Sequence, residues 1–375
     1  MKALVYEGMK NIKVSEVTDP QLEKADDIII KVTSTAICGS DLHLAHGMIP
    51  NMPKGFILGH ETMGVVIEAG KEVHKVKKGD RVIVPFPVAC GHCWYCEHEL
   101  YSQCDNSNEH GTVGGIFGYS EPYGGYDGGQ AEYLRVPYAN VGPRVIGEEF
   151  TDEQVLFLTD VLPTSYWGVD IGGVKAGDTV IILGCGPIGL TAIKWTILAG
   201  AKRIIAVDYV GYRLEHAKKY GVEVINLEDY DDTGEYLNQL TDGGADVVLD
   251  CVGVDGKMTT MEKIETMLKL QGGSKSAIEI ATQAVRKGGT VVFIGVYGTR
   301  YNMFPLGDFF SKNITLKMGQ CPVHAYVDPI LQMIKDKKID PTDIITHKLP
   351  LMEGSHAYEI FDKKEDNCIK VILKP

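Results

Sequence analysis

Residues Gly184-Cys185-Gly186-Pro187-Ile188-Gly189 restrict the fold of this chain more than any other stretch. They spell G-x-G-x-x-G, a weak pattern alone, because glycine makes up 43 of 375 residues. The context makes it specific. An apolar β-branched run, Thr179 to Leu183, precedes the glycines, and a helical run, Ile188 to Ala199, follows. A second strand, Arg203 to Asp208, ends in an acid 24 residues after Gly184. A dinucleotide site asks for this order. The first glycine permits the tight turn, the second lets backbone approach a pyrophosphate, and the third lets helix pack on strand. The helix N-terminus then offers unpaired N–H groups to the phosphates. Gly184, Gly186, Pro187, Ile188 and Gly189 are the candidate cofactor-binding residues, with Asp208 placed to take the adenosine ribose hydroxyls. A carboxylate there repels a 2′-phosphate and favours NAD over NADP, whereas Arg213 is a counter-signal. The competing reading is a structural glycine turn with Asp208 capping a helix.

Strand and helix signals alternate from Thr179 onward: Arg213 to Tyr220 reads as a helix, and Val222 to Asn226, Ala245 to Cys251 and Thr290 to Val296 as strands. That alternation predicts a parallel, doubly wound α/β sheet. Residues 1 to about 150 read differently, as short strands broken by turns: Lys2 to Tyr6, Asp27 to Ser34, Met63 to Ala69 and Arg81 to Val84. Thr151-Asp152-Glu153-Gln154 fits a capping box that opens a helix ending near Pro163. The tail returns to a helix, Val327 to Lys335, and a strand, Ile369 to Leu373. The expected organisation is a mainly β domain, residues 1–161 and 321–375, with an inserted α/β domain, residues 162–320.

Cys90, Cys93, Cys96 and Cys104 have the sharpest spacing in the chain. Short Cys-x2-Cys steps turn successive sulfurs toward one centre, and four thiolates close a tetrahedral structural zinc site. An iron–sulfur cluster and free thiols are the rivals. A last gap of seven residues, followed by Asp105 instead of proline, departs from the ferredoxin spacing. Two further soft ligands lie in loop-like segments, Cys38 in Cys38-Gly39-Ser40-Asp41-Leu42-His43 and His60 in Gly59-His60-Glu61-Thr62. A buried cysteine is usually a small hydrophobe and a lone histidine usually a satisfied polar group, so spacing alone leaves their roles open.

These segments, with the cysteine lobe and the glycine turn in this order, resemble the zinc-dependent medium-chain alcohol dehydrogenases over essentially the whole chain. The resemblance implies a GroES-like catalytic domain carrying an inserted Rossmann domain. It implies Cys38 and His60 as ligands of a catalytic zinc. The family's third ligand is often a cysteine; here Leu158-Thr159-Asp160-Val161 stands at that place, so Asp160 is the implied third ligand and Glu61 the runner-up. A carboxylate there resembles the glutathione-independent formaldehyde dehydrogenases, as do Gly128 to Tyr133 and the long segment Lys263 to Gly289, which in relatives lies beside the adenine. The same resemblance implies Ser40 and His43 as a proton relay, Glu61 beside the metal, and His46 and Phe86 on the pocket wall.

The expected protein binds about two zinc ions, one closed and one open, and uses NAD to interconvert alcohols and aldehydes. Formaldehyde oxidation or aldehyde dismutation is one version. A polyol or threonine-type dehydrogenase is the alternative, and a zinc-free reductase or non-catalytic relative is less favoured. Fifty acidic against 37 basic residues, net charge −13, argue against nucleic-acid or anionic-membrane partners. The N-terminus carries no run resembling a signal peptide, and a cytoplasmic location is expected. Family members with this lobe usually form homodimers or homotetramers, which is the expected assembly.

Overall fold

The computed structural model describes the chain except residues 50, 51, 110, 112, 256–273, 299, 300, 302 and 303. Contacts divide it into two compact units, Met1–Pro163 with Cys321–Pro375, and Thr164–Gln320.

The first unit is built on β-strands. Its larger sheet runs Arg144–Val145, Arg81–Val84, Glu61–Ala69, Ile28–Ala36, Lys370–Lys374, Ile345–Pro350, with Tyr133–Val136 also pairing to Ile28–Ala36. Ile12–Glu16, Lys2–Tyr6 and Phe56–Ile57 form a smaller sheet. The side-chain period of two puts Ile28, Ile30 and Val32 on one face, where they meet Val66, Val82, Val84, Leu134 and Val136 in one core. The strand Lys370–Lys374 pairs with Ile28–Ala36 and so returns the end of the chain to its first half.

The helix expected from Thr151 to about Pro163 is not continuous. The capping box forms, with the Thr151 N–H donating to Gln154 Oε1 at 2.9 Å. One turn follows at Asp152–Val155, then a 3-10 turn at Leu156–Thr159, and Asp160 breaks the run with φ −156° and ψ −73°. A second helix begins at once, Val161–Gly172. Pro163 therefore starts a helix rather than stopping one, because the first turn does not need its missing N–H. The break at Asp160 matters for the metal site described below.

The second unit is a parallel sheet in the order Glu223–Asn226, Arg203–Asp208, Thr179–Leu183, Ala245–Asp250, Val285–Phe293, Thr315–Met318. Strand order reverses between Thr179–Leu183 and Ala245–Asp250, which makes that junction the topological switch point. Val180, Ile181 and Ile182 are all fully buried, as a strand covered on both faces requires. Of the segment 263–289 expected beside the adenine, residues 263–273 lie outside the described residues. Ser276–Ala284 is a helix whose Ala277, Ile278, Ala281 and Ala284 pack into the sheet at helical spacing. The strand Val285–Phe293 begins before Gly289.

Candidate metal centres and cofactor turn

Cys90, Cys93, Cys96 and Cys104 converge, with all four sulfurs within 4.8 Å of one another. Cys90 and Cys96 are 4.0 Å apart and Cys93 and Cys104 are 3.9 Å apart. A tetrahedral ion with bonds of about 2.3 Å spaces its sulfurs about 3.8 Å apart, so one ion fits this set better than a multi-iron cluster does. Backbone N–H groups already point at the sulfurs, from Cys90 to Cys104 at 3.3 Å and from His92 to Cys90 at 3.4 Å. Those donors favour thiolates. Among the described residues no cysteine is in a disulfide.

Cys38, His60, Glu61 and Asp160 form the second group, again with ligand atoms within 4.8 Å. Three of them sit where regular structure begins or ends. Cys38 caps the helix Gly39–Ala45. His60 follows Gly59, whose φ of +98° and tight packing on Gln130 leave no room for a side chain. Asp160 sits at the helix break. Asp160 Oδ2 lies 3.4 Å from His60 Nε2 and 3.6 Å from Cys38 Sγ. Bonds of about 2.0 Å to nitrogen and oxygen and about 2.3 Å to sulfur predict about 3.3 and 3.5 Å for those separations around one tetrahedral zinc. The donor set therefore fits the metal. Burial, then Asp160, pushes the Cys38 thiol up, and burial pushes Glu61 up against the pull of Lys370. Burial opposes charge on His60, yet Asp41 and Asp160 outweigh it and hold its pKa well above the ordinary imidazole value. Burial is thus the leading cause on the two acids, and neighbouring carboxylates are what raise His60.

Glu61 is placed differently from Asp160. It is fully buried and its Oε1 pairs with the equally buried Lys370, which also donates to Ile37 O at 2.9 Å. Ser40 Oγ stands 3.4 Å from His60 Nε2. His43, three residues on and buried, has Nδ1 3.5 Å from the Tyr119 hydroxyl. Phe86 is buried with its ring edge-on to His60, centroids 6.1 Å apart. His46 instead pairs with Asp362 at 2.9 Å.

Several residues of the site carry no assignment from sequence. Asp41 accepts the Cys38 N–H at 2.9 Å and a Gln130 amide N–H at 3.2 Å, and its other oxygen lies 3.3 Å from His60 Nδ1, without hydrogen-bond alignment. Tyr358 donates to Gln130 at 2.7 Å behind it. An acid at the third helical position after a cap is a capping-box signal, and it marks Asp41. Lys370, a lone charge inside the run Ile369 to Leu373, is the other visible signal.

In the second unit, Gly184 has φ +88°, and a side chain on Gly189 would come within 1.8 Å of Gly184 O. At Gly186 the nearest neighbour of such a carbon is Arg213 Nη1 at 3.7 Å, so that backbone is open to approach. Pro187 opens the helix Pro187–Leu198, and Ile188 stands half-buried in its first turn. Asp208 closes the turn: it accepts N–H groups from Cys185 at 2.7 Å, Tyr209 at 2.7 Å and Val210 at 2.9 Å. Arg213 Nε is buried without a hydrogen-bond partner.

Comparison with known proteins agrees with this architecture. Residues 24–145 match the model of the alcohol dehydrogenase GroES-like domain, and residues 187–264 that of the zinc-binding dehydrogenases. An uncharacterized zinc-type alcohol dehydrogenase-like protein, AdhB of Bacillus subtilis, is 57% identical over 100% of both chains. The glutathione-independent formaldehyde dehydrogenase of the same organism is 38% identical, covering 96% of this chain and 94% of that one. Among solved structures, the alcohol dehydrogenase TADH from Thermus sp. ATN1 superposes with a TM-score of 0.84 at 36% identity, over 100% of this chain and 99% of that one. The chain therefore belongs to the zinc-type, medium-chain alcohol dehydrogenase family and is an oxidoreductase.

Proposed function

We propose that this chain is an NAD-dependent dehydrogenase that interconverts a small alcohol and its aldehyde at a zinc held by Cys38, His60 and Asp160. The observation that carries the reading is the meeting of these three side chains at separations suited to one tetrahedral ion. Zinc there supplies a Lewis acid that polarises the substrate oxygen, and the nicotinamide supplies the hydride acceptor. A thiolate, a neutral imidazole and a carboxylate from these residues would balance the charge of the ion. Asp41 lies 3.3 Å from His60 Nδ1, and Nε2, 3.4 Å from Asp160, is the ring nitrogen left for the metal. Ser40 would accept the hydroxyl proton of the alcohol while passing on its own, with His43, on the same helix, as the next base of the relay. Lys370 holds Glu61 by one oxygen, which favours Asp160 over Glu61 as third ligand.

The second centre, Cys90, Cys93, Cys96 and Cys104, is proposed as a closed structural zinc site. NAD is preferred because the Asp208 carboxylate would repel a 2′-phosphate. Asp160 in the third position, and the 38% identity to a formaldehyde dehydrogenase, favour formaldehyde or another short aldehyde over a polyol. Nine cysteines with no disulfide among them suit a reducing cytoplasm. No helix among the described residues is long and apolar enough to cross a membrane. Assembly with a second copy fits Leu306, Phe310 and Met318, exposed beside the last strand of the parallel sheet.

The test is reduction of NAD, and separately of NADP, over formaldehyde, primary and secondary alcohols and polyols, with and without glutathione. Turnover of formaldehyde or short alcohols without glutathione supports the proposal. Turnover confined to polyols, or driven only by NADP, sinks the substrate or cofactor assignment respectively.

A further inference from the structure

The second half of the parallel sheet ends in a fastening that the reaction described above does not use. Asp250 is fully buried at the carboxyl end of Ala245–Asp250, the strand at the switch point. Its Oδ1 accepts the Val252 N–H at 2.8 Å and the Gly253 N–H at 3.3 Å, and its Oδ2 accepts the hydroxyl of Tyr297. Tyr297 lies just past the end of the neighbouring strand, edge-on to Phe293 with centroids 5.4 Å apart. The bond therefore ties two adjacent strand-end turns together.

Those turns are in backbone contact as well. Ile294 and Gly295 donate to Asp250 O, each at 3.0 Å, and Val254 donates to Val296 O at 2.9 Å. A side chain on Gly253 would come within 2.5 Å of Val296 O, and one on Gly295 within 2.2 Å of Gly253 N. On the opposite side, the Val252 side chain reaches the phosphate turn, 2.8 Å from where a Gly184 side-chain carbon would stand.

A doubly wound sheet binds a dinucleotide as two mononucleotides, one per half, outside the carboxyl ends of the strands. Gly184 to Gly189 and Asp208 belong to the first half and serve the adenosine side. The turns after Asp250 and Phe293 belong to the other half. We propose that Tyr297, through its hydrogen bond to Asp250, is a positioning residue for the nicotinamide half of the cofactor, holding the Val252–Gly253 and Gly295–Val296 turns in one fixed arrangement. The proposal rests on the dinucleotide reading of this unit. Tyr297 acts through the backbone of these turns and needs no contact with the reacting atoms.

The test compares two ligands, NADH by its fluorescence and ADP-ribose by calorimetry, because ADP-ribose lacks the nicotinamide ring. Tyr297→Phe removes only the hydroxyl, and Asp250→Asn weakens the same bond from its other end. Both variants should bind NADH about tenfold more weakly and ADP-ribose within about twofold of the parent protein. The retained ADP-ribose binding also shows that the unit is folded. Equal weakening of both ligands, or no change in either, overturns the proposal. A parent protein that binds neither ligand overturns the dinucleotide reading and this proposal with it, and that outcome is visible before any variant is made.

Discussion

Lys370 and Glu61 offer the most direct test of how the catalytic pocket is held. Both side chains have 0% exposure, and their charges are in contact. Lys370→Met leaves the Glu61 carboxylate buried without its partner. At a separation of about 3 Å and an effective dielectric of about 20, the lost attraction is about 5 kcal/mol. Breaking one side of a buried pair typically costs about 3–5 kcal/mol. With a urea slope of about 2 kcal/mol per M, a loss of about 4 kcal/mol lowers the unfolding midpoint by about 2 M. Glu61→Gln with Lys370→Met removes both charges and should recover more than half of that shift, the signature of coupling. The assay is urea unfolding of the parent, both single variants and the double variant, with zinc at one fixed concentration. A shift below about 0.5 M for Lys370→Met, or a double variant equal to the sum of the singles, refutes the reasoning.

Three further outcomes follow from other parts of the molecule. Burial raises the Asp152 carboxyl, but hydrogen bonds from Ser34 and Arg81 outweigh it and hold the group at about 2, below its ordinary 3.8. A depressed carboxylate stabilises the fold above about pH 4, and that contribution is lost as pH falls toward 2. After allowance for solvent screening it is about 1 kcal/mol, so Asp152→Asn should flatten the acid-unfolding curve between pH 4 and 2, and superimposable curves contradict it. Gly189→Ala puts a carbon 1.8 Å from Gly184 O and should abolish NADH binding, whereas Gly307→Ala, with nothing within 4 Å, should leave binding unchanged; equal effects in a fluorescence titration count against the turn assignment. Phe310 is 86% exposed, and Phe310→Glu should reduce the molar mass measured by light scattering if that face meets a second copy; an unchanged mass removes it from the interface.

The parallel sheet was legible because its strands are buried on both faces and carry unbroken apolar runs, as Val180 to Leu183 does. The cysteine lobe was legible because local spacing alone brings four sulfurs together. The catalytic pocket was not legible from spacing. Cys38, His60 and Asp160 are separated by long stretches of chain, and only resemblance to a family linked them. Asp160 also depends on a helix break that the capping signals at Thr151 and Gln154 do not foretell. The sequence suggests one helix up to Pro163, but proline in a first turn begins a helix as readily as it ends one. Lys370 went unassigned because a single lysine in an apolar strand shows its meaning only when Glu61 stands opposite. Within the stretch 263–289, residues 276–284 carry a core-facing helix of the sheet, whose Ala277, Ile278, Ala281 and Ala284 show the helical spacing in the sequence.

The central claim is two metal centres of different kinds, and metal content measures it most directly. Purified protein, assayed by inductively coupled plasma mass spectrometry, should carry about two zinc ions per chain. Cys38→Ala should carry about one, because Cys90, Cys93, Cys96 and Cys104 retain theirs, and Cys104→Ala should lose the other. A parent protein with about one zinc that Cys38→Ala leaves in place contradicts the assignment of Cys38, His60 and Asp160 as a catalytic metal site.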